Sequence, residues 1–161
     1  GRLIPELHKA EVTSINNDDG EIVYIPETIG QIPIYKTGRH LFKDNETIKE
    51  LHIGKVLKNI GIGSFYNCSS LVTVTIPSNV LIIERNCKNL TQVILAEGVQ
   101  HIEKNAFRGC EALESVYMPN SVSNIEDNAF VGCEHVEFHC TVGSFAQKYA
   151  KKNGIDVHFI N

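Results

Sequence analysis

The chain has 161 residues, of which 42% are hydrophobic, and this is enough for the continuous core of a single domain. Its 15 basic and 19 acidic residues give a formal net charge of −4, which argues against a surface that binds nucleic acid. No apolar stretch approaches the roughly 20 residues of a membrane span, so we expect no membrane insertion.

The first predicted element is a hairpin that caps the N-terminal end of the fold. Residues 12–15 and 21–25 alternate apolar and polar side chains, and the loop between them ends at Gly20. This pattern is typical of two strands joined by a glycine-closed loop. We therefore assign residues 1–25 to an N-terminal segment and capping hairpin.

A 23-residue repeat fills residues 26–142. Residues 99–119 show it whole, as V-x-x-I-x-x-x-A-F-x-x-C-x-x-L-x-x-V-x-[IM]-P. Further copies place apolar residues in the same phase at Phe42, Ile48, Leu51, Ile53, then Phe65, Leu71, Val74, Ile76, and later Val122, Ile125, Ala129, Phe130, Cys133 and Val136. Because one coil cannot bury its apolar face alone, a repeat of this length predicts stacked coils, that is, a solenoid.

One copy of the repeat, about residues 77–95, is shortened. Leu71 is followed by its equivalent Leu90 after 19 residues, because the Ala-Phe segment is missing. The loss removes bulk between Phe65 and Phe107. Two outcomes remain open, a pocket at this place or a degenerate repeat whose neighbours collapse inward.

Residues 143–161 are predicted to form a C-terminal cap. Ser144 and Gln147 make a capping box at the start of a short helix, and Gly154 ends it. Phe145, Tyr149 and Ala150 fall on one helical face. The strand that follows, residues 155–160, alternates apolar and polar side chains and completes the cap.

The shared pattern resembles the BspA-type leucine-rich-repeat family over about residues 23–161, with Thr37 in place of Ile, Leu41 in place of Ala and the shortened copy as departures. The resemblance implies an α/β fold: a right-handed leucine-rich-repeat solenoid with short parallel strands and few helices, capped by an N-terminal hairpin and by a C-terminal helix and strand. Members of this family are commonly surface-associated proteins of bacteria and some protists, implicated in adhesion.

Strand alternation predicts two columns of outward side chains along the stacked coils. The first column contains Glu50, Thr73, Gln92 and Ser115, and the second contains His52, Thr75, Ile94 and Tyr117. A shifted register in the last coil continues them with Glu137 and His139. These are the candidate protein-binding residues, with Ile94 and Tyr117 as a hot-spot pair. The alternative is that they are ordinary strand residues stabilised by cross-strand contacts.

Four cysteines share one phase of the repeat and are expected to stack inside as small apolar fillers: Cys68, Cys87, Cys110 and Cys133. Reduced thiols are favoured, because parallel side chains would have to turn toward each other to form a disulfide. Residues 133–140 hold two cysteines and two histidines, but His139 and Cys140 point to opposite faces of a strand, which disfavours a zinc site. We predict no metal ligand.

Three carboxylates also share a phase, at Glu84, Glu103 and Glu126. They are interpreted as a screened surface column, with a cation site or a patch for a basic partner as the alternatives and Arg85 and Lys104 as possible partners.

Motifs of nucleotide binding, nucleophilic hydrolysis and zinc proteolysis are missing from the sequence, so we predict no catalytic residue, no cofactor and no enzymatic activity. With the family resemblance, this favours a monomeric adhesion or protein-interaction module, on the cell surface or secreted. Its ligand would be an unidentified protein, such as a host or matrix protein. The alternative function is a structural spacer array with no specific ligand.

Overall fold

The computed structural model describes residues 10–12, 20–38, 40–54, 68–77 and 89–160. Its elements in chain order are β1 (Ala10–Val12), β2 (Ile22–Ile25), β3 (Thr28–Ile29), β4 (Ile32–Thr37), β5 (Glu50–Ile53), β6 (Thr73–Ile76), β7 (Gln92–Leu95), β8 (His101–Ile102), β9 (Ser115–Tyr117), β10 (Asn124–Ile125), β11 (Glu137–Cys140), α1 (Phe145–Asn153) and β12 (Asp156–Phe159). The shortened copy lies largely outside these ranges, and so does the question of a pocket there.

A seven-stranded parallel sheet, the main sheet, has the strand order β12-β11-β9-β7-β6-β5-β2. Neighbours in space are successive strands of the repeat along the chain, which is the arrangement of a solenoid. Val74 pairs with Leu51 on one side and with Val93 on the other. This register confirms both the 23-residue step and the 19-residue step of the shortened copy.

The core lies behind the main sheet because every second strand residue is apolar and points inward. Strands β5, β6, β7 and β11 alternate strictly between half-buried and buried positions. The buried positions of the main sheet include Val23, Ile25, Leu51, Ile53, Val74, Ile76, Val93, Leu95, Val116, Phe138 and Cys140. The repeated apolar residues are therefore the residues that hold the coils together.

The turns at residues 105–107 and 128–130 repeat the same local structure one coil apart. Phe107 stacks on Phe130 of the next coil, with ring centroids 5.1 Å apart. Asn105 and Asn128 both take the left-handed backbone conformation, with φ of 63° and 62°. Asparagine tolerates this conformation better than most residues, which explains its place before each Ala-Phe pair.

A second, two-stranded parallel sheet joins β8 to β10 on another side of the coils. His101 pairs with Asn124 and Ile102 with Ile125, again one repeat apart. The isoleucines are buried, so the residues on either side of them face outward.

At the N-terminal end, β2 is a strand of the main sheet and pairs in parallel with β5. Val23 lies opposite Leu51, a spacing of 28 residues that the 23-residue period does not reveal. The other predicted hairpin strand was residues 12–15, of which residues 13–15 lie outside the described residues. Val12 belongs to β1, which pairs in parallel with β4 rather than with β2. A described antiparallel hairpin follows β2, with β3 paired to β4.

The C-terminal cap confirms the predicted helix and strand. Ser144 Oγ accepts a hydrogen bond from the backbone N–H of Gln147 at 3.2 Å, and Gly154 ends α1 with φ of 68°. The buried face differs from the predicted one, because Ala146 packs inside while Phe145 is exposed. A helix that packs this closely on a strand end favours small side chains at the contact. The helix has nine residues, and no helix of the described chain is long and apolar enough to cross a membrane.

Candidate protein-binding surface

The outer face of the main sheet carries two aligned columns of side chains. From β2 to β12, the Glu50 column contains Ile22, Glu50, Thr73, Gln92, Ser115, Glu137 and Asp156. The His52 column contains Tyr24, His52, Thr75, Ile94, Tyr117, His139 and His158. We call the two columns together the ribbon.

The ribbon confirms the predicted alignment, including the shifted register that brings Glu137 and His139 into line. That these residues bind a partner stays a prediction. The end members Tyr24 and His158 were not among the predicted residues. Their strands are separated from the neighbouring strands by spacings other than the repeat, and only the alternation of β2 and β12 signalled an outward position.

Aromatic stacking runs along the His52 column. The rings of Tyr24 and His52 are 4.7 Å apart and inclined by 12°. The rings of Tyr117 and His139 are 4.4 Å apart and inclined by 20°. His158 lies 5.0 Å from His139 with its ring tilted by 43°. Such stacking is possible because parallel strands bring aligned side chains to about 4.8 Å from each other.

Each stacked histidine also contacts a glutamate two residues earlier on its own strand. His52 Nε2 lies 2.5 Å from Glu50 Oε1, and His139 Nε2 lies 3.4 Å from Glu137 Oε1. Residues at positions i and i+2 of a strand share a face, which brings each pair together. The ribbon therefore contains the same Tyr–His–Glu arrangement twice.

We call these arrangements the first cluster (Tyr24, His52 and Glu50) and the second cluster (Tyr117, His139 and Glu137). Their histidines are four strands apart, or about 19 Å along the sheet at about 4.8 Å per strand. Both clusters combine a flat aromatic face with a carboxylate. This combination suits a cationic side chain, which a ring face and an anion both attract.

The centre of the ribbon, between the two clusters, is uncharged. Thr75 and Ile94 pair in register, and Thr73 Oγ1 donates to Gln92 Oε1 at 3.4 Å. Ile94 is also the register neighbour of Tyr117, as predicted, and both are half-buried. An apolar contact with a polar rim at each end is typical of the centre of a protein interface.

The described cysteines Cys68, Cys110, Cys133 and Cys140 are buried thiols. Burial, with the nearby Asp44 carboxylate, raises the pKa of the Cys68 thiol to about 12. Burial raises the pKa of Cys133 to about 11, against a smaller lowering by a backbone hydrogen bond of Cys110. The burial of Cys68, Cys110 and Cys133 is as predicted, and the raised pKa values of Cys68 and Cys133 disfavour the reactive thiolate. Cys87 lies outside the described residues.

A cleft of about 850 Å³ lies away from the ribbon, between α1 and the turns of the last coil. Phe130 and Tyr149 form part of its wall, and Asp127 and Lys148 lie at its edges. Burial, and then the Asp127 carboxylate, raises the pKa of Tyr149. The cleft results from the way the terminal helix packs against the last coil.

The stacked parallel strands, the repeated apolar positions and the outward ribbon define a leucine-rich-repeat solenoid. The profile of the BspA type leucine rich repeat region matches residues 21–137 with six copies. The chain belongs to this family. Among curated proteins, none matches the chain significantly.

Solved structures with the same fold include a leucine rich repeat protein from T. pallidum, with a TM-score of 0.70 and 22% identity over 86% of this chain and 66% of that protein. A leucine rich cell surface protein from Faecalibacterium prausnitzii has a TM-score of 0.60 and 27% identity over 79% of this chain and 34% of that protein. A leucine-rich repeat protein from Bacteroides ovatus has a TM-score of 0.64 and 25% identity over 87% and 40%. The chain thus spans between a third and two thirds of these proteins.

Proposed function

We propose that this chain is a non-enzymatic protein-interaction module that binds another protein along the ribbon. The observation that carries the proposal is the continuity of the ribbon across all seven strands of the main sheet. Extended sheet surfaces of this kind are what solenoid proteins use for recognition, because residues that vary between coils are free to suit a partner. The apolar repeat positions account for the fold and leave recognition to the ribbon.

The partner that fits the ribbon is a protein surface with two cationic side chains on either side of an apolar patch. Tyr24 has 67% of its surface exposed, so the ring of the first cluster is open to an arginine or lysine. Glu50 and Glu137 offer a carboxylate in each cluster. Ile94, together with its neighbour Tyr117 in the second cluster, would supply the apolar contact that carries much of the binding energy.

A location on the cell surface or in secreted form is part of the same proposal. Its support is the similarity to a leucine rich cell surface protein from Faecalibacterium prausnitzii. An adhesion role follows from combining that location with an exposed protein-binding ribbon. A host or matrix protein with a basic surface is the partner class that we propose.

A spacer array is the second candidate function, and one observation favours it. The ribbon side chains contact one another through His–Glu pairs, stacked rings and the hydrogen bond from Thr73 to Gln92. Cross-strand contacts of this kind stabilise a sheet even where no ligand binds. The two functions differ in whether a partner is captured through the ribbon.

The test is a capture experiment from an extract of host extracellular matrix with three baits. The baits are the wild-type chain, the double variant Ile94→Ser/Tyr117→Ser, and the control Val131→Ser, which alters an exposed valine in a turn away from the main sheet. We expect one protein to bind the wild-type and control baits saturably and to be absent from the material captured by the double variant. Equal capture by all three baits would mean that the partner binds without Ile94 and Tyr117. The absence of any saturable capture would favour the spacer function.

A further inference from the structure

Three potential metal ligands meet beside the two-stranded sheet, away from the ribbon. His101 begins β8, Glu103 follows its end, and Glu126 follows the end of β10 in the next coil. Glu103 and Glu126 are one repeat apart, so neighbouring coils bring their carboxylates near each other. His101 and Glu103 are two residues apart in extended chain and share a face. The repeat itself therefore brings an imidazole and two carboxylates together.

The distances between these groups are compatible with a metal site. His101 Nε2 lies 3.4 Å from Glu103 Oε1 and 3.3 Å from Glu126 Oε1. Hydrogen bonds from N–H to O are mostly between about 2.7 and 3.2 Å long. In a tetrahedral zinc site with bonds of about 2.0–2.1 Å, ligand atoms lie about 3.3–3.4 Å apart. One atom from each residue lies within 4.8 Å of the other two.

Outer contacts hold two of the three ligands in place. The Asn124 amide lies 2.9 Å from His101 Nδ1, and Glu126 Oε2 accepts the backbone N–H of Lys104 at 3.2 Å. An asparagine amide can turn its oxygen toward an Nδ1–H, which leaves the lone pair of Nε2 to a metal. Metal-ligating histidines are commonly oriented in this way by a second group.

The cluster carries net negative charge with either protonation state of its imidazole, because one histidine faces two carboxylates. With a neutral imidazole, the two carboxylates give a charge of −2. Among the residues that the structure describes, neither carboxylate forms an ion pair with lysine or arginine. Lys104, a possible partner in the sequence analysis, contributes its backbone N–H instead. Arg85 and Glu84 lie outside the described residues.

We propose that His101, Glu103 and Glu126 bind one zinc ion, with water at the fourth position. An imidazole among the ligands favours Zn²⁺ over Ca²⁺ and Mg²⁺, which prefer oxygen ligands alone. The ion joins two neighbouring coils and stabilises their stacking. A cation site that includes Glu103 and Glu126 was one of the alternatives from the sequence, but His101 was not among its residues, because it occupies a different phase of the repeat.

The test is calorimetric titration of the metal-free chain with zinc chloride. We expect one Zn²⁺ per chain. His101→Ala and Glu103→Gln should each weaken binding by more than tenfold, and Asn124→Ala should weaken it by about 10–100-fold, as removal of an outer-shell partner does. The matched control is His135→Ala, which removes an exposed histidine outside both this cluster and the ribbon and should leave the affinity unchanged.

A spectroscopic readout keeps the test independent of folding defects in the variants. Zinc should shift the Nε2 resonance of His101 in the wild-type chain and raise the melting temperature, while neither effect occurs in Glu103→Gln. Calcium chloride at equal concentration should do neither. The proposal is overturned if zinc does not bind, or if wild type and His101→Ala bind it equally well.

Discussion

Tyr117 stacks on His139 of the next coil with ring centroids 4.4 Å apart, and the same relationship recurs between Tyr24 and His52 at the other end of the main sheet. Each stack places an aromatic ring beside the carboxylate that its histidine contacts. The ribbon thus has two similar Tyr–His–Glu clusters around an uncharged centre.

The stack of Tyr117 on His139 should contribute measurably to stability. Tyr117→Ser removes an aromatic cross-strand contact of about 1 kcal/mol and should lower the melting temperature by roughly 2–4 °C. Tyr117→Phe keeps the ring and should melt close to wild type. Thermal unfolding followed by circular dichroism measures both, and an equal loss in the two variants would contradict the stacking argument.

Phe138 and Phe159 provide a matched test of the core. Phe138 is fully buried behind β11, whereas Phe159 on β12 is 47% exposed. Phe138→Ala should lower the free energy of unfolding by about 3–5 kcal/mol, because it leaves a cavity. Phe159→Ala should cost much less, since it removes a half-exposed ring. Urea denaturation measures the difference, and similar losses would place the core elsewhere.

Asn105 and Asn128 allow the effect of a buried polar atom on stability to be measured apart from the effect of a positive φ. Both have positive φ, but among the described residues only Asn105 has a buried side-chain oxygen without a hydrogen-bond partner, at Oδ1. Asn105→Gly removes that oxygen and should raise the free energy of unfolding by about 1 kcal/mol relative to Asn128→Gly. Equal effects in denaturant titrations would show that the oxygen carries no cost.

The buried thiol of Cys68 should make the free energy of unfolding decrease as the pH becomes alkaline. Burial raises the pKa of the Cys68 thiol from its ordinary value of 9.0 to about 12, so the folded state disfavours the thiolate. The stabilising effect is complete below pH 9 and is lost as the pH rises toward 12. We therefore expect the urea midpoint of Cys68→Ala to fall less steeply than that of wild type as the pH rises from 9 toward 12. The same slope in wild type and variant would refute this.

The sequence predicted most of the fold, because the repeat places each inward residue where the stacked strands require one. The alignment from Glu50 to His139 followed from the same alternation. Three features were missed. β2 joins the main sheet at a spacing outside the repeat. The burial of Ala146 depends on how closely α1 packs. The contact of His101 with Glu126 depends on side chains of different phases meeting across coils.

The central claim is that the ribbon binds a protein through Ile94 and Tyr117. Its most direct test is the dissociation constant of the captured matrix protein for the wild-type chain, Ile94→Ser/Tyr117→Ser and Val131→Ser. Loss of two central contacts should weaken binding by at least about 30-fold, corresponding to about 2 kcal/mol, while the control keeps the wild-type value. A double variant that binds as tightly as wild type would contradict the claim.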